Sequence, residues 1–432
     1  MSNSFSKEER VAFEDLLEGF QDALVLSRHV SIYNTDQTMM ERANNTIWRP
    51  QPYIAQSISS TPGQTIAGQY QGMTQLAVPA TLGFSQTVPW EMTTLELRDA
   101  LQEGRLGESA KQKLASDINV AIMNTAATLG SLVVPIAAAA GDYDDVSLCD
   151  TIMNEQGVPD YDRFLGLSSR DYNGLAGNLS QASRSFGNAK SDKAYERNFV
   201  GMVAGFDTYK FDYANRIAAA AGGAGIRIDT NGSNTQANYA PQATSTSVGG
   251  QINVDNRFQT VTVSTSASVA PGDAFTIAEV YAVHHITKQS TGQLKTFRVV
   301  SVPAGGTSLV ITPPIIGAQT IGGTGPTDAQ LQYKNVEVAI AADAAAITFL
   351  NENASAINVF WQRDSLEILP GRYAVPSDAG VAVMRASTDQ GIELVMQKWY
   401  DINTMSIKYR MDTLFGVVNK NPEMSGILLF NQ

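Results

Sequence analysis

Charge is what this chain is short of. Charged residues make up 17% of its 432 residues, and residues 50–90 contain none. That stretch is polar rather than greasy, with Gln, Ser, Thr, Gly and Pro around isolated Ile54, Ile58, Ile66, Leu76, Val78, Leu82 and Phe84. It is too interrupted to cross a bilayer, which takes roughly 20 consecutive apolar residues. Its apolar side chains are too sparse for a core of its own. Such a segment suits lying across another protein; the plainer alternative is a long hairpin packed on its own domain. A second uncharged stretch covers residues 230–254.

Cysteine and histidine are scarce too. The single thiol, Cys149, excludes a disulfide framework and a multi-cysteine zinc site. It has no basic neighbour in sequence and reads as a small core or semi-buried residue rather than a nucleophile. The three histidines are His29, His284 and His285. Adjacent residues of a strand point to opposite faces, so the pair makes a poor chelate and reads as structural or surface. No Gly-x-Ser-x-Gly elbow and no Walker-type glycine–lysine loop occurs. Gly222-Gly223-Ala224-Gly225 follows an alanine run and lacks the spacing of a dinucleotide fingerprint, so it reads as a hinge. The acidic loop Asp142/Asp144/Asp145 carries Val146 where a common calcium loop needs Asp or Asn. No cofactor or metal is expected. Lys and Arg do not cluster, and the net charge is −12, which argues against sequence-specific nucleic-acid binding. Residues 1–10 lack the apolar stretch of a secretory signal, consistent with a reducing cytoplasm.

Hydrophobic residues amount to 43%, enough for two or three domains with real cores. Ser6 and Glu9 have the spacing of a capping box, and Phe13, Leu16, Leu17, Phe20 and Leu24 follow on one helical stripe, predicting a helix over 6–27. Thr61-Pro62-Gly63 is a turn signal inside an extended loop or hairpin over 50–88. A second capping box, Thr93 and Glu96, opens a helical region that pauses at Gly104–Gly107. It resumes with Leu114, Ile118, Ala121, Ile122, Thr125, Leu129 and Leu132, predicting a spine helix over 108–132 of about 37 Å. Residues 190–220 look partly helical, ending in alanines. From 255 to 315 the period switches to two: Phe258, Val261 and Val263; Phe275 and Ile277; Phe297 and Val299; Leu309 and Ile311, punctuated by Pro271-Gly272-Asp273 and Pro303-Ala304-Gly305-Gly306. That pattern predicts an antiparallel barrel or sandwich. Residues 343–351 read as a helix, and 357–430 as sheet strands. Trp48, Trp90, Trp361 and Trp399 read as core anchors. The fold class is α+β.

Six segments in order then carry a resemblance. They are Arg42-Ala43-Asn44-Asn45-Thr46-Ile47-Trp48, Ala126-Ala127-Thr128-Leu129-Gly130-Ser131-Leu132-Val133, and Asn253-Val254-Asp255-Asn256-Arg257-Phe258-Gln259-Thr260-Val261-Thr262-Val263. Asn358-Val359-Phe360-Trp361 comes next, and then Trp399-Tyr400-Asp401 with Asp412-Thr413-Leu414-Phe415-Gly416-Val417. Over essentially the whole chain this resembles the major capsid (coat) protein of short-tailed lambdoid bacteriophages. The resemblance implies the tailed-phage major capsid fold with an inserted antiparallel β-barrel domain. The parts would be an N-terminal arm (1–45), an extended loop (46–90), a spine helix and peripheral domain (91–140), an axial domain (141–225 and 343–395), the insert (226–342) and a return to the peripheral domain (396–432). It implies a non-enzymatic subunit that assembles with itself as pentamers and hexamers, with a scaffolding protein and a portal protein. The shell would form in the host cytoplasm and enclose double-stranded DNA without reading its sequence; no membrane is involved.

On that reading Phe13, Leu17, Trp48, Ile54, Ile58, Ile66 and Leu76 are expected at contacts between subunits. Gly104, Gly107, Gly222 and Gly223 are expected hinges, and Asn238, Tyr239, Gln242 and Asn253 belong to a loop of the insert that touches a neighbour through hydrogen bonds. Some members of the wider fold crosslink through a lysine on the extended loop; residues 50–90 have none. The competing readings are a β-rich phage tail or adhesin binding subunit, and an enzyme with dispersed carboxylates.

Overall fold

A computed structural model describes residues 7–33, 46–51, 55, 57, 59–68, 70, 72–93, 100–182, 189–211, 215–221, 225–228, 238–247, 249–320, 325–338, 345–374 and 380–431. The chain divides into two units. One gathers residues 1–47, 79–124 and 366–418; the other gathers 48–78, 125–365 and 419–432.

The first unit begins with helix α1 (Lys7–Ala23), which buries Phe13 and Phe20 of the expected stripe, with Leu24 buried just past its end. The helix stops at Ala23, and a separate 3-10 turn spans Leu26–His29, so the single helix expected to 27 is two pieces. Ser6 and Glu96, members of the expected capping boxes, lie outside the described residues, but Glu9 is ion-paired with Lys398. A mainly antiparallel sheet follows the order Ser31–Ile32, Leu366–Pro370, Ser406–Asn419, Glu393–Asp401, Ala382–Ser387, with Phe84–Thr93 also paired to Ser406–Asn419. Phe84 stacks on Phe415 at 5.3 Å and Trp90 on Tyr409 at 5.4 Å, cross-strand aromatic pairs that fix the register.

Helix α2 (Ala100–Leu129) has 30 residues, about 45 Å at 1.5 Å per residue. The expected pause is not there: the helix runs unbroken through Gly104 and Gly107. Ala110, Leu114, Ile118 and Ile122 form a buried stripe that outweighs the roughly 1 kcal/mol each glycine costs. The helix also ends earlier than expected, because Leu132 begins a strand. A Cβ at Gly130 would lie 2.7 Å from Ala126 O and 3.0 Å from Gly426 N, so glycine is what allows the chain to turn there.

The second unit is built on a seven-stranded sheet in the order Leu132–Ile136, Ser425–Phe430, Ser355–Gln362, Arg163–Ser168, Phe206–Phe211, Met202–Val203, with Arg216–Ile217 also paired to Ser355–Gln362. Helices α3 (Tyr143–Gln156) and α4 (Ser169–Ala182) cover one face through Val146, Cys149, Met153, Leu175 and Ala176 against Leu165, Leu167, Phe206 and Leu428. Asp142 and Asp145 form a capping box on α3, which is the structural use of the acidic loop. Cys149 is buried, and burial, with Asp145 and Asp150 nearby, pushes its thiol far above the ordinary range. Helix α5 (Ala189–Arg197) is the helical part of 190–220. The rest of that region forms the strands Met202–Val203, Phe206–Phe211 and Arg216–Ile217, and Ala218 to Ala221 are not helical. Parallel pairing with Arg163–Ser168 draws Phe206–Phe211 into the sheet, and in the alanine run Ala220 N donates to Asn351 O at 2.8 Å while Ala218 O accepts from Asn351 Nδ2 at 3.0 Å.

From Ile217 the chain leaves this sheet and returns at Ser355, the residue paired with it. In between lies a five-stranded antiparallel sheet in the order Gln259–Thr262, Ser308–Thr312, Ser290–Ser301, Ala274–Val283, Ile347–Phe349. Its two edges are joined by bridges from Ile228 to Val263 and from Arg227 to Ala346, which close it into a barrel around Phe275, Ile277, Phe297, Val299, Leu309 and Ile311. Ile347–Phe349 was expected to be helical; it is the last barrel strand, because Phe275 and Ile277 hold it in register. Helix α6 (Asp328–Tyr333), capped by Thr327 and Gln330, packs outside the barrel. Among the tryptophans Trp361 is buried and Trp48 and Trp90 are half-buried. Trp399 is 57% exposed and is no core anchor, since it sits near a hairpin end opposite Lys408.

Candidate assembly surfaces and a buried polar junction

The uncharged segment is an exposed arm with a tied base. Gln51 N donates to Leu76 O at 2.9 Å, and Gln75 Nε2 to Gln51 O at 2.7 Å. Between them every described residue from 55 to 73 is exposed, including Ile66, Tyr70 (80%) and Met73 (73%). At the turn, Gln64 N donates to Thr61 O at 3.0 Å with Gly63 at φ +87°, which is the geometry Pro then Gly favours. At the other end of the segment three amides in alternation are bound by side chains of α6. Gly72 N meets Asp328 Oδ2 at 2.8 Å, Thr74 N meets Gln332 Oε1 at 3.2 Å, and Leu76 N meets Tyr333 Oη at 3.2 Å.

The expected contact residues therefore separate. Ile66 is exposed on the arm and Trp48 is half-buried at its base. Phe13 and Leu76 are buried within their own units, and Leu17 is half-buried on α1. Ile54, Ile58, Gly222 and Gly223 lie outside the described residues.

The loop residues of the barrel separate as well. An exposed hairpin, Thr244–Ser247 paired with Gly250–Asn253, carries Asn253. Asn238, Tyr239 and Gln242 anchor its base: Gly317 N donates to Asn238 Oδ1 at 3.2 Å, while Tyr239 Oη and Gln242 N both donate to Asn256 Oδ1 at 3.0 Å. Asn256 Nδ2 donates in turn to Gln242 O and Val254 O. Sequence reasoning gave Asn256 no role; its place just after an uncharged run was the available signal.

The most concentrated chemistry lies inside the second unit, where barrel and sheet meet. Glu423 is ion-paired with Lys295, which is 1% exposed; His285 Nε2 lies 3.2 Å away, and Asn335 Nδ2 donates to it at 3.2 Å. Lys295 also donates to Gln156 Oε1 of α3 at 2.8 Å, and Thr296 Oγ1 to Ser131 O at 2.7 Å. Burial alone would raise the Glu423 carboxyl, but Lys295 and His285 hold it well below the usual carboxylate range. Arg298, wholly buried, is lowered by that burial to about 10, with Asp273 opposing. His284 and His285 follow the strand Ala274–Val283 in a turn rather than lying on it, and His284 Nδ1 accepts from Ile286 N and Thr287 N at 3.2 Å. A cavity of about 390 Å³ adjoins the network, lined by Arg257, Lys288, Pro313, Tyr333 and Glu423. Burial lowers the Lys288 ammonium to about 8 against the pull of Glu423. Glu423 is paired with Lys295, while Arg298 donates to the carbonyls of Gly272 and Gly130 and Lys288 to that of Lys334, which suits a structural joint. Among the described residues no cluster of His, Cys, Asp or Glu could hold a metal, and no helix is long and apolar enough to cross a membrane.

A family model described as "P22 coat protein - gene protein 5" matches residues 1–431. Among solved structures, the chain is similar to the "CUS-3 coat protein I-domain", with 37% identity over 29% of this chain and 96% of that one and a TM-score of 0.22. It is similar to a chain of "Mycobacterium phage Che8", 9% identical over 94% and 91% of the two chains, TM-score 0.44. It is also similar to "Asymmetric unit of bacteriophage PhiM1 mature capsid", 12% identical over 90% and 82%, TM-score 0.42.

Proposed function

Since the chain belongs to the P22 coat protein family and is a structural subunit of an icosahedral bacteriophage capsid, not an enzyme, we propose that it closes into pentamers and hexamers by laying the arm at 55–73 across its neighbour. The observation that carries this reading is an arm with no charge and with Ile66, Tyr70 and Met73 exposed. Covering such a segment desolvates no ion, and burying Tyr70 and Met73 contributes on the order of 2 kcal/mol each, repeated at every contact around a ring. The exposed barrel hairpin at 244–253, rich in Ser, Thr, Gln and Asn, meets a neighbouring capsomer through hydrogen bonds. A scaffolding protein and a portal protein complete the assembly in the host cytoplasm, giving a procapsid that expands as double-stranded DNA fills it. The family match runs through barrel and sheet alike, so no separate module is left for a tail or adhesin role.

Electron microscopy and sedimentation velocity of the protein expressed with its scaffolding protein test this. Closed shells are expected for wild type, and small oligomers for the pair Tyr70→Asp and Met73→Asp. Shells from the double variant at wild-type yield would remove the arm from the interface.

A further inference from the structure

We propose that α6 is a latch that imitates a β-strand, and that it sets the direction of the arm before a neighbouring subunit is met. The arm's last stretch presents the amides of Gly72, Thr74 and Leu76, the period-two edge that a sheet neighbour would normally satisfy. No strand is there. Instead one short helix offers Asp328 Oδ2, Gln332 Oε1 and Tyr333 Oη to the three amides in turn, and Gln332 Nε2 returns a donor to Gly72 O. The ladder then passes to the barrel's own backbone, where Ala77 bridges Asp255 in parallel.

Three features make this a built site. First, α6 is held rigidly: its capping box of Thr327 and Gln330 is closed, and Gln330 Nε2 donates to Tyr239 O at 3.3 Å. Second, Gln332 is 2% exposed and spends both ends of its amide on the arm's backbone. Third, a Cβ on Gly72 would lie 2.8 Å from Asp328 Oδ2, so a side chain at the first rung must push that carboxylate aside. All the bonds go to main chain, so the latch reads an extended backbone and a glycine rather than a side-chain sequence. An arm fixed at its root has fewer conformations to lose when it lands on a partner, so it binds faster and tighter than a free tether. The barrel thus acts on assembly through its own subunit's arm, in addition to any contact its hairpin makes. The assembly half of this proposal rests on the coat-subunit reading above; the latch itself does not.

Amide hydrogen exchange on the unassembled protein, with shell yield measured in parallel, tests both halves. In wild type Gly72, Thr74 and Leu76 should exchange more slowly than Ile66 and Gly68. The double variant D328A/Y333F removes the outer acceptors and leaves Gln332 in place. Its Thr74 amide should nevertheless accelerate, on the order of tenfold, because the rungs release together. The barrel amides of Phe275 and Phe297 should be unchanged, which shows that the variant is folded, and shell yield should drop severalfold. Wild-type amides as fast as those at Ile66, or a Thr74 that does not respond, would overturn the latch. A released arm with undiminished shell yield would overturn its role in assembly. G72A, which pushes Asp328 off its bond from the other side, should reproduce D328A/Y333F. If wild type itself forms no shells, the assembly reading fails while the exchange data still decide the latch.

Discussion

Glu423 shows what one buried charge does in this molecule. Its oxygens face Lys295, His285 and Asn335, and water has little access. Removing one partner strands the other, which typically costs about 3–5 kcal/mol, whereas replacing both with apolar side chains is often neutral. Lys295→Met should therefore lower unfolding stability by about that amount in urea titrations. Lys295→Met with Glu423→Leu should recover most of the loss. The pH dependence follows from the same geometry. A carboxyl held low in the folded state contributes stability that is complete above the unfolded value, near pH 4.3, and fades as pH falls below it. Stability should drop steeply below about pH 4 in wild type, and Glu423→Gln should flatten that limb. None of this was legible in the sequence. Residues 295 and 423 are far apart in the chain, and only the barrel's placement on the sheet brings them together. The reading of Cys149 as a small core or semi-buried residue needed only its sequence neighbours, and it is fully buried.

At the scale of elements, local pattern predicted best where one face of an element is buried. Phe13 and Phe20 on α1 were readable because they pack by helical period. The alternation at Phe275 and Ile277, at Phe297 and Val299, and at Leu309 and Ile311 marked strands for the same reason. Prediction failed where a partner decided the outcome. Ile347–Phe349 follows an alanine-rich stretch that favours helix, yet it pairs with Ala274–Val283. The glycines at 104 and 107 punctuate the sequence without interrupting α2. Gly426 is the opposite case, a glycine the pattern did not flag. A Cβ there would lie 2.3 Å from Leu132 O and 2.5 Å from Phe360. Gly426→Ala should destabilise the seven-stranded sheet by roughly 1–3 kcal/mol, the usual range for overpacking, with a matching loss in thermal unfolding temperature.

For the whole molecule the uneven distribution of charge matters more than its total. Acidic residues number 42 and basic residues 30, yet the arm has neither, and no lysine lies between 50 and 90. Two outcomes are expected of assembled shells. Denaturing gels of mature particles should show single subunits rather than a high-mass ladder. Raising salt from about 0.1 M to 1 M should leave the contacts made by the arm and the barrel hairpin nearly unchanged, because screening acts on charges and these surfaces carry none. Dissociation that rises steeply with salt would place charged surfaces at the main contacts.

The pairing of Ile217 with Ser355 bears on how such a chain could change over time. The whole barrel leaves and rejoins its host between two residues of one ladder, so it is a cassette that could be gained, lost or exchanged without retying any strand. Glu423, outside the cassette, is ion-paired with Lys295 inside it, and His285 Nε2 lies 3.2 Å away. A lineage that dropped the barrel would have to replace that carboxylate in the same step, so the insert is easy to graft and hard to give up.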